Sequence, residues 1–178
     1  MAKNIFPTVS KPALSESGFS LTELLVVVVI IGVASAIALP NILSRRDAYY
    51  LKATTKDLNS IIQKAKMASI KTNSDWAIAI NEAADTYTVY SSDGGDGNWN
   101  SGNESIDASV NLASLPGDIF FQEPGGAAST ALITLRANGT CQTGNIYLGN
   151  HKNITFYRIQ ISPVCGMTLT RWTGTTWK

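Results

Sequence analysis

The most restrictive feature of the sequence is an apolar run of 21 residues, from Phe19 to Leu39, in which Glu23 is the only charged residue. A helix rises about 1.5 Å per residue, so this run spans roughly 30 Å, the thickness of the hydrocarbon core of a bilayer. The run therefore predicts a membrane-spanning helix. The 138 residues after position 40 are enough for one domain with its own core.

The residues before the apolar run are polar. Residues 1–18 contain two lysines, two prolines and no apolar segment, whereas an ordinary secretory signal carries its apolar region before the cleavage site. Ordinary cleavage would therefore leave no membrane segment. We predict instead a cut after Gly18, on the cytoplasmic side, which retains the helix and gives Phe19 a free amino group.

Glu23 is the informative residue of the run. A carboxylate costs a few kcal/mol at the bilayer centre, costs less near the interface, and usually marks a functional position. The free amine of Phe19 on a neighbouring copy is a suitable partner, since pairing offsets the cost of burying the charge. The alternative is a plain membrane anchor in which Glu23 reaches the interface.

The stretch that carries a family resemblance is GFSLTELLVVVVIIGVASAIALPNI, residues 18–42. It resembles the class III signal and first helix of type IV pilins and type II secretion pseudopilins. The resemblance implies that a prepilin peptidase cleaves after Gly18 and N-methylates Phe19, and that Glu23 directs assembly into a helical filament. It also implies a single-pass protein of the cytoplasmic (inner) membrane, with its carboxyl-terminal domain outside the cytoplasm. The implied partners are other pilin or pseudopilin subunits, the inner-membrane assembly platform and membrane lipid.

Two residues weaken the helix. Gly32 lowers helix stability by about 1 kcal/mol relative to alanine, and Pro40 removes a backbone hydrogen bond and clashes with the preceding turn. We expect a kink near Pro40 in the free membrane form. The resemblance implies that the stretch from Gly32 to Pro40 melts when a filament forms.

An amphipathic helix is predicted from Ala48 to about Thr72. Its apolar positions recur with the helical period, at Leu51, Leu58, Ile62 and Ala65, with Ile61 and Ala68 on the flank. Lys52, Lys56, Asn59 and Gln63 occupy the opposite face. We expect one helix from Phe19 to about Lys71 whose second half packs on a domain. Its basic face is either solvated, or contacts acidic lipid headgroups or the acidic middle of a neighbouring subunit.

Alternating and turn-rich sequence after Ser74 predicts strands. The first two, Trp76–Ile80 and Tyr87–Tyr90, form a hairpin; the others are expected at 106–112, 118–122, 131–136, 145–148, 154–161 and 167–172. Residues 130–172 resemble the carboxyl-terminal domain of GspH/FimT-type minor pseudopilins, which implies a long helix packed on two antiparallel sheets. The predicted fold class is thus α+β, the pilin fold. Its segments are a leader (1–18), a transmembrane half-helix (19–40), an amphipathic half-helix (41–73) and a β-rich domain (74–178).

The two cysteines, Cys141 and Cys165, both lie in the last third. If that third is exported, we expect a disulfide between them; the alternative is a pair of buried free thiols.

Charge is unevenly distributed along the chain. Residues 75–123 carry nine acids and no Lys or Arg, whereas residues 136–178 carry five basic residues and no acid, an asymmetry that can orient partners.

No catalytic or cofactor motif is recognisable, and we expect neither an enzyme nor a cofactor. The single histidine, His151, lies in a polar turn and is expected to be a surface residue. Asp93, Asp96 and Glu104 lie in a glycine-rich loop that suits calcium by ligand type. The EF-hand spacing fails there, so a solvated loop without a metal is the preferred interpretation.

The basic and aromatic carboxyl-terminal part raises one ligand hypothesis. Arg158, Arg171 and Lys178 accompany Trp172 and Trp177, and cations beside aromatic rings suit phosphate contacts and base stacking. They make DNA a candidate ligand.

The resemblance of the first helix leads to the main prediction, a minor pilin or pseudopilin that assembles into a type IV pilus or a type II secretion pseudopilus. The alternatives are a DNA-binding minor pilin of a DNA-uptake system and a solitary membrane-anchored domain.

Overall fold

The structure is a computed structural model that describes residues 18–99, 101–151 and 155–178, without the side chains of residues 39–44. It divides into two compact units, residues 1–40 and 41–178. The predicted leader lies outside the described residues except for Gly18. The segment boundaries predicted from the sequence stay predictions.

One long helix, α1, runs through Leu21–Thr72. It begins at Ser20, whose Oγ accepts a hydrogen bond from the Thr22 N–H at 3.3 Å, the usual capping arrangement. It ends at Asn73, which adopts a left-handed φ of 51°. The Ser74 N–H donates to the Ser69 carbonyl and the Asn73 N–H to the Ile70 carbonyl, which is a Schellman motif. The predicted helix is confirmed, whereas the kink at Pro40 stays a prediction.

Eight strands in the second unit form two antiparallel sheets of four strands each. The first sheet has the order β3-β2-β1-β5 and the second the order β4-β6-β7-β8. The strand bounds are β1 Trp76–Asn81, β2 Thr86–Ser92, β3 Ser105–Asn111, β4 Ile119–Phe120, β5 Leu132–Leu135, β6 Gly144–Asn150, β7 Thr155–Ile161 and β8 Met167–Arg171. The predicted α+β class with a helix and antiparallel sheets is confirmed.

The core joins the second half of α1 to both sheets. Leu51, Leu58 and Ile62 on the helix are fully buried in one cluster with residues of both sheets, such as Ile78 and Ile159. The 3.6-residue spacing predicted this stripe because only that period keeps one helix face inward. The apolar alternation along β1, β2, β6 and β7 supplies the facing side chains.

Several strand ends differ from the predictions by one or two residues, and two of the differences have a local cause. β4 has only two residues, because Asp118 has a left-handed φ of 53° and the Phe121 N–H donates to the Asp85 carboxylate at 3.0 Å. Leu112, predicted to end β3, instead begins a single 3-10 turn capped by the Asn111 side chain. In both places a side chain satisfies a backbone group that a continuing strand would have paired.

The Cys141–Cys165 disulfide is present, with a Cα–Cα distance of 5.1 Å. Cys141 follows β5 of the first sheet, and Cys165 lies in the turn between β7 and β8 of the second. The bond therefore connects the two sheets, and it confirms the pairing predicted from the sequence.

Candidate functional site: the apolar helix and the outer face of the second sheet

The described part of the first unit is mainly apolar helix with its side chains exposed. Residues Leu21–Ala38 have a mean hydropathy of 2.5, and none of this segment is buried within the chain. The large apolar residues between Phe19 and Ile37 expose 48 to 85% of their surface. A helix that is apolar on every side suits a bilayer or the interior of an assembly. By length and composition this segment can cross a membrane.

Glu23 lies in the first turn of α1, three residues after the capping Ser20. The Ser-x-x-Glu spacing is that of a capping box, and the positive end of the helix dipole favours a carboxylate there. The box is not closed, because no group in the described residues hydrogen-bonds to the Glu23 carboxylate. Glu23 thus places a carboxylate in the first turn that has no hydrogen-bond partner among the described residues.

The glycines of this unit are not required by packing within the chain. A Cβ built on Gly18 or on Gly32 meets no other atom within 4 Å. Phe19, next to Gly18, is 85% exposed. A reason for glycine at position 18 therefore has to come from outside the described fold, as the predicted cleavage would supply. Gly32 is equally open, so its predicted part in helix weakness rests on propensity alone.

Comparison with known proteins agrees with this geometry. Residues 14–39 match the family model described as the prokaryotic N-terminal methylation motif. The fold is similar to that of EpsH, a minor pseudopilin of the type 2 secretion system of Vibrio cholerae, with a TM-score of 0.50 and 12% identity over 67% of this chain and 95% of that one. The likeness shows that the chain has a pilin-like fold.

A second similar structure is FimU, a type IV minor pilin of Pseudomonas aeruginosa, with a TM-score of 0.46 and 16% identity over 72% of this chain and 92% of FimU. No curated protein matches the chain. The methylation motif and the fold together support the predicted pilin or pseudopilin resemblance. The finer GspH/FimT-type assignment stays a prediction.

The three cations proposed for DNA do not share one face of the pilin-like domain. Arg158 pairs with Thr170 across β7 and β8, and its Nε donates to the Thr170 hydroxyl at 3.2 Å. Arg171 pairs instead with Tyr157, a residue of the core cluster. Because successive side chains of a strand alternate, Arg171 and Arg158 lie on opposite faces. Lys178 exchanges two backbone hydrogen bonds with Arg171, so it lies on the side of Arg171.

The outer face of the second sheet, where Arg158 lies, is an aromatic cluster. The Arg158 guanidinium lies 4.9 Å from the Trp177 ring centre. The Trp177 ring contacts Tyr147 and Trp172, with centroid distances of 5.7 and 5.3 Å. Tyr147 is buried, and burial, with a smaller contribution from the Glu123 charge, raises its pKa. These rings pack against each other and the sheet, which leaves Trp172 and Trp177 partly exposed.

The loop proposed for calcium satisfies its own carboxylates. The Asp93 carboxylate accepts from the Gly95 and Gly97 N–H groups at 3.0 and 3.1 Å. The Glu104 carboxylate accepts from the Ser101 N–H at 2.6 Å, and hydrogen bonds led by the one from the Asn98 N–H lower the pKa of Asp96. Among the described residues, no group of three His, Cys, Asp or Glu side chains is placed to hold a metal.

His151 lies on the surface, as predicted, with 64% of its side chain exposed. Its Nδ1 is 3.5 Å from the Asp118 carboxylate, and its ring packs on Phe120 at a centroid distance of 4.0 Å. Among the described residues, these contacts bring no reactive side chain to His151 other than the Asp118 carboxylate.

Proposed function

We propose that the chain is a non-enzymatic structural subunit, a minor pilin or pseudopilin. It is held in the cytoplasmic membrane by α1, is cleaved after Gly18 and N-methylated on Phe19, and joins a type IV pilus or a type II secretion pseudopilus through the same helix. Its partners are prepilin peptidase, other subunits of the filament, the inner-membrane assembly platform and membrane lipid.

The observation that carries the proposal is the apolar helix that the chain leaves uncovered. Burying apolar surface is worth about 25 cal/mol per Å². The large apolar residues from Phe19 to Ile37, which are 48 to 85% exposed, therefore strongly favour any environment that covers them. Lipid covers them in the membrane, and neighbouring helices replace the lipid in a filament. The methylation motif over residues 14–39 supports this two-stage use of one segment.

Glu23 supplies the specificity of the contact between subunits. Its carboxylate is placed in the first turn of the helix, four residues from the amino group that cleavage after Gly18 would create on Phe19. A neighbouring subunit can offer the amino group of its own Phe19, and such a pair offsets the cost of a buried charge.

Maturation is tested by Gly18→Leu in cells that express prepilin peptidase. The bulky side chain should block cleavage, so the membrane fraction should contain the uncut chain by mass spectrometry. Gly32→Ala is the matched control, since neither glycine contacts another residue, and it should be cut normally. A normally sized mature protein from Gly18→Leu would refute the cleavage proposal.

Assembly is tested by Glu23→Ala, with the neighbouring Thr22→Ala as control. The Glu23 variant should stay in the membrane but be missing from sheared or crosslinked filaments, and the Thr22 variant should be present in them. Incorporation of Glu23→Ala at the wild-type level would favour a solitary membrane anchor over a filament subunit.

A DNA-binding role is the competing proposal. It would have to use Arg158 without Arg171, because the two side chains lie on opposite faces of the sheet. A gel shift with DNA and the full chain in detergent tests this role. Binding that weakens steeply with salt and is lost in Arg158→Gln would support DNA as a ligand. No shift at low salt would remove DNA from the list of partners.

A further inference from the structure

A cationic pocket of about 300 Å³ lies between α1 and the end of β8. Three of the side chains that line it are basic: Arg45 and Lys52 from the helix and Arg171 from the strand. Two tyrosines, Tyr49 and Tyr157, line it as well. The lining residues contain no carboxylate. We call this site the basic pocket.

The fold brings these cations together from opposite ends of the sequence. Arg45, Tyr49 and Lys52 follow one another at four and three residues, so they share one helix face. That face adjoins the buried stripe that contains Leu51 and Leu58. Arg171 reaches the same place because it pairs with Tyr157 and therefore points to the side of the sheet that α1 covers.

Three cations that line one small volume favour an anion between them. Arginine and lysine together are suited to a phosphate group, which a guanidinium binds with two hydrogen bonds and an ammonium binds as a point charge. Tyr49 is 69% exposed at the mouth, and tyrosine is favoured where an apolar region meets polar headgroups. The pocket thus combines phosphate-binding cations with an interfacial aromatic ring.

The pocket is also close to the membrane along the chain. The apolar run ends at Leu39, six residues before Arg45. Even a fully extended chain of that length spans at most about 22 Å, which limits how far Arg45 can lie from the end of the apolar run. Basic residues beside a membrane segment are attracted by anionic lipids.

We propose that the basic pocket binds the phosphate headgroup of an anionic phospholipid in the membrane that holds α1. The proposal depends on the membrane anchoring given under Proposed function, but not on filament assembly. Bound lipid would hold the β-rich domain against the membrane before the subunit leaves it, and extraction into a filament would have to break this contact.

The test uses the full chain in mild detergent, with bound phosphatidylglycerol measured by native mass spectrometry and phosphatidylcholine as the uncharged comparison. One basic residue at an anionic surface is worth about a five-fold change in affinity, so Arg171→Gln should weaken phosphatidylglycerol binding about five-fold. The double variant Arg45→Gln/Lys52→Gln should weaken it further. Arg136→Gln, an exposed arginine outside the pocket, is the matched control and should retain the lipid.

Equal losses in Arg171→Gln and Arg136→Gln would overturn the proposal, because they would show diffuse charge attraction. Binding of inorganic phosphate without phosphatidylglycerol would also overturn it, since the source would then be a free anion. A dimer that is lost in Arg171→Gln would assign the pocket to a second copy instead of lipid. Glu23→Ala should leave lipid binding unchanged, so failure of assembly and failure of this proposal are told apart.

Discussion

The disulfide gives the most direct quantitative test of the fold. Cys141 and Cys165 are both buried, and the bond closes a loop with a sequence separation of 24. The Cys141 N–H donates to the Pro163 carbonyl at 2.9 Å, and the Cys165 N–H donates to the Ser162 carbonyl at 2.9 Å. Both half-cystines are thus fixed by backbone hydrogen bonds. Reduction should therefore act mainly by increasing the conformational entropy of the unfolded chain.

In the chain-entropy model, a loop of about 25 residues contributes about 3.5 kcal/mol at 25 °C. With a urea slope of about 2 kcal/mol per M, reduction should lower the unfolding midpoint by almost 2 M. The four tryptophans all lie between Trp76 and Trp177, so their fluorescence in the micelle-bound chain reports the β-rich part alone.

The control is a chain with both cysteines replaced by alanine, in which the reductant should shift nothing. A midpoint change below about 0.5 M on reduction of the wild-type chain would refute the reasoning. It would mean either that the two sheets stay together without the bond or that the unfolded chain is already compact there.

Three further outcomes are expected. Leu58→Ala removes a fully buried side chain and should lower the free energy of unfolding in urea by about 3 to 5 kcal/mol. Met67 is 71% exposed on the same helix, so Met67→Ala should change that free energy by less than about 0.5 kcal/mol. Gly149→Ala places a Cβ about 2.6 Å from the Phe156 ring, and thermal unfolding should show a loss of about 1 to 3 kcal/mol. Burial, and less strongly a neighbouring carboxylate, raises the pKa of Tyr87. The contribution of Tyr87 to the free energy of unfolding should therefore be constant below the unfolded pKa near 10, and it should be lost as pH rises through the pKa of the folded state. Urea titrations at several pH values should show a less steep fall for Tyr87→Phe.

Much of the fold was readable from the sequence because the signals are periodic. The helical stripe from Leu51 to Ala65 predicted the buried face of α1, and the alternation in Trp76–Asn81 predicted a strand, of which four of the six residues are buried. The apolar run to Leu39 predicted a helix that the chain itself does not cover. Local patterns of this kind depend only on the geometry of one element.

The remaining features depend on pairing between elements that are distant in sequence. Arg158 and Arg171 were predicted to form one basic patch, because the sequence alone does not determine which residues of two strands pair with each other. β4 ended early because the Asp85 carboxylate, 36 positions away, accepts from the Phe121 N–H. The basic pocket was missed for the same reason, since Arg171 joins Arg45 and Lys52 only through the register of β8.

That register therefore decides which ligand the carboxyl-terminal strand can meet. A shift of β8 by one residue moves every side chain to the other face of the sheet, which would place Arg171 beside Arg158 and remove it from the basic pocket. The turn before β8 resists such a shift, because the Ser162 N–H donates to the Gly166 carbonyl at 2.9 Å and Cys165 is joined to Cys141. The disulfide that connects the sheets thus also holds Arg171 toward the helix, so reduction should loosen phospholipid binding as well as lower stability.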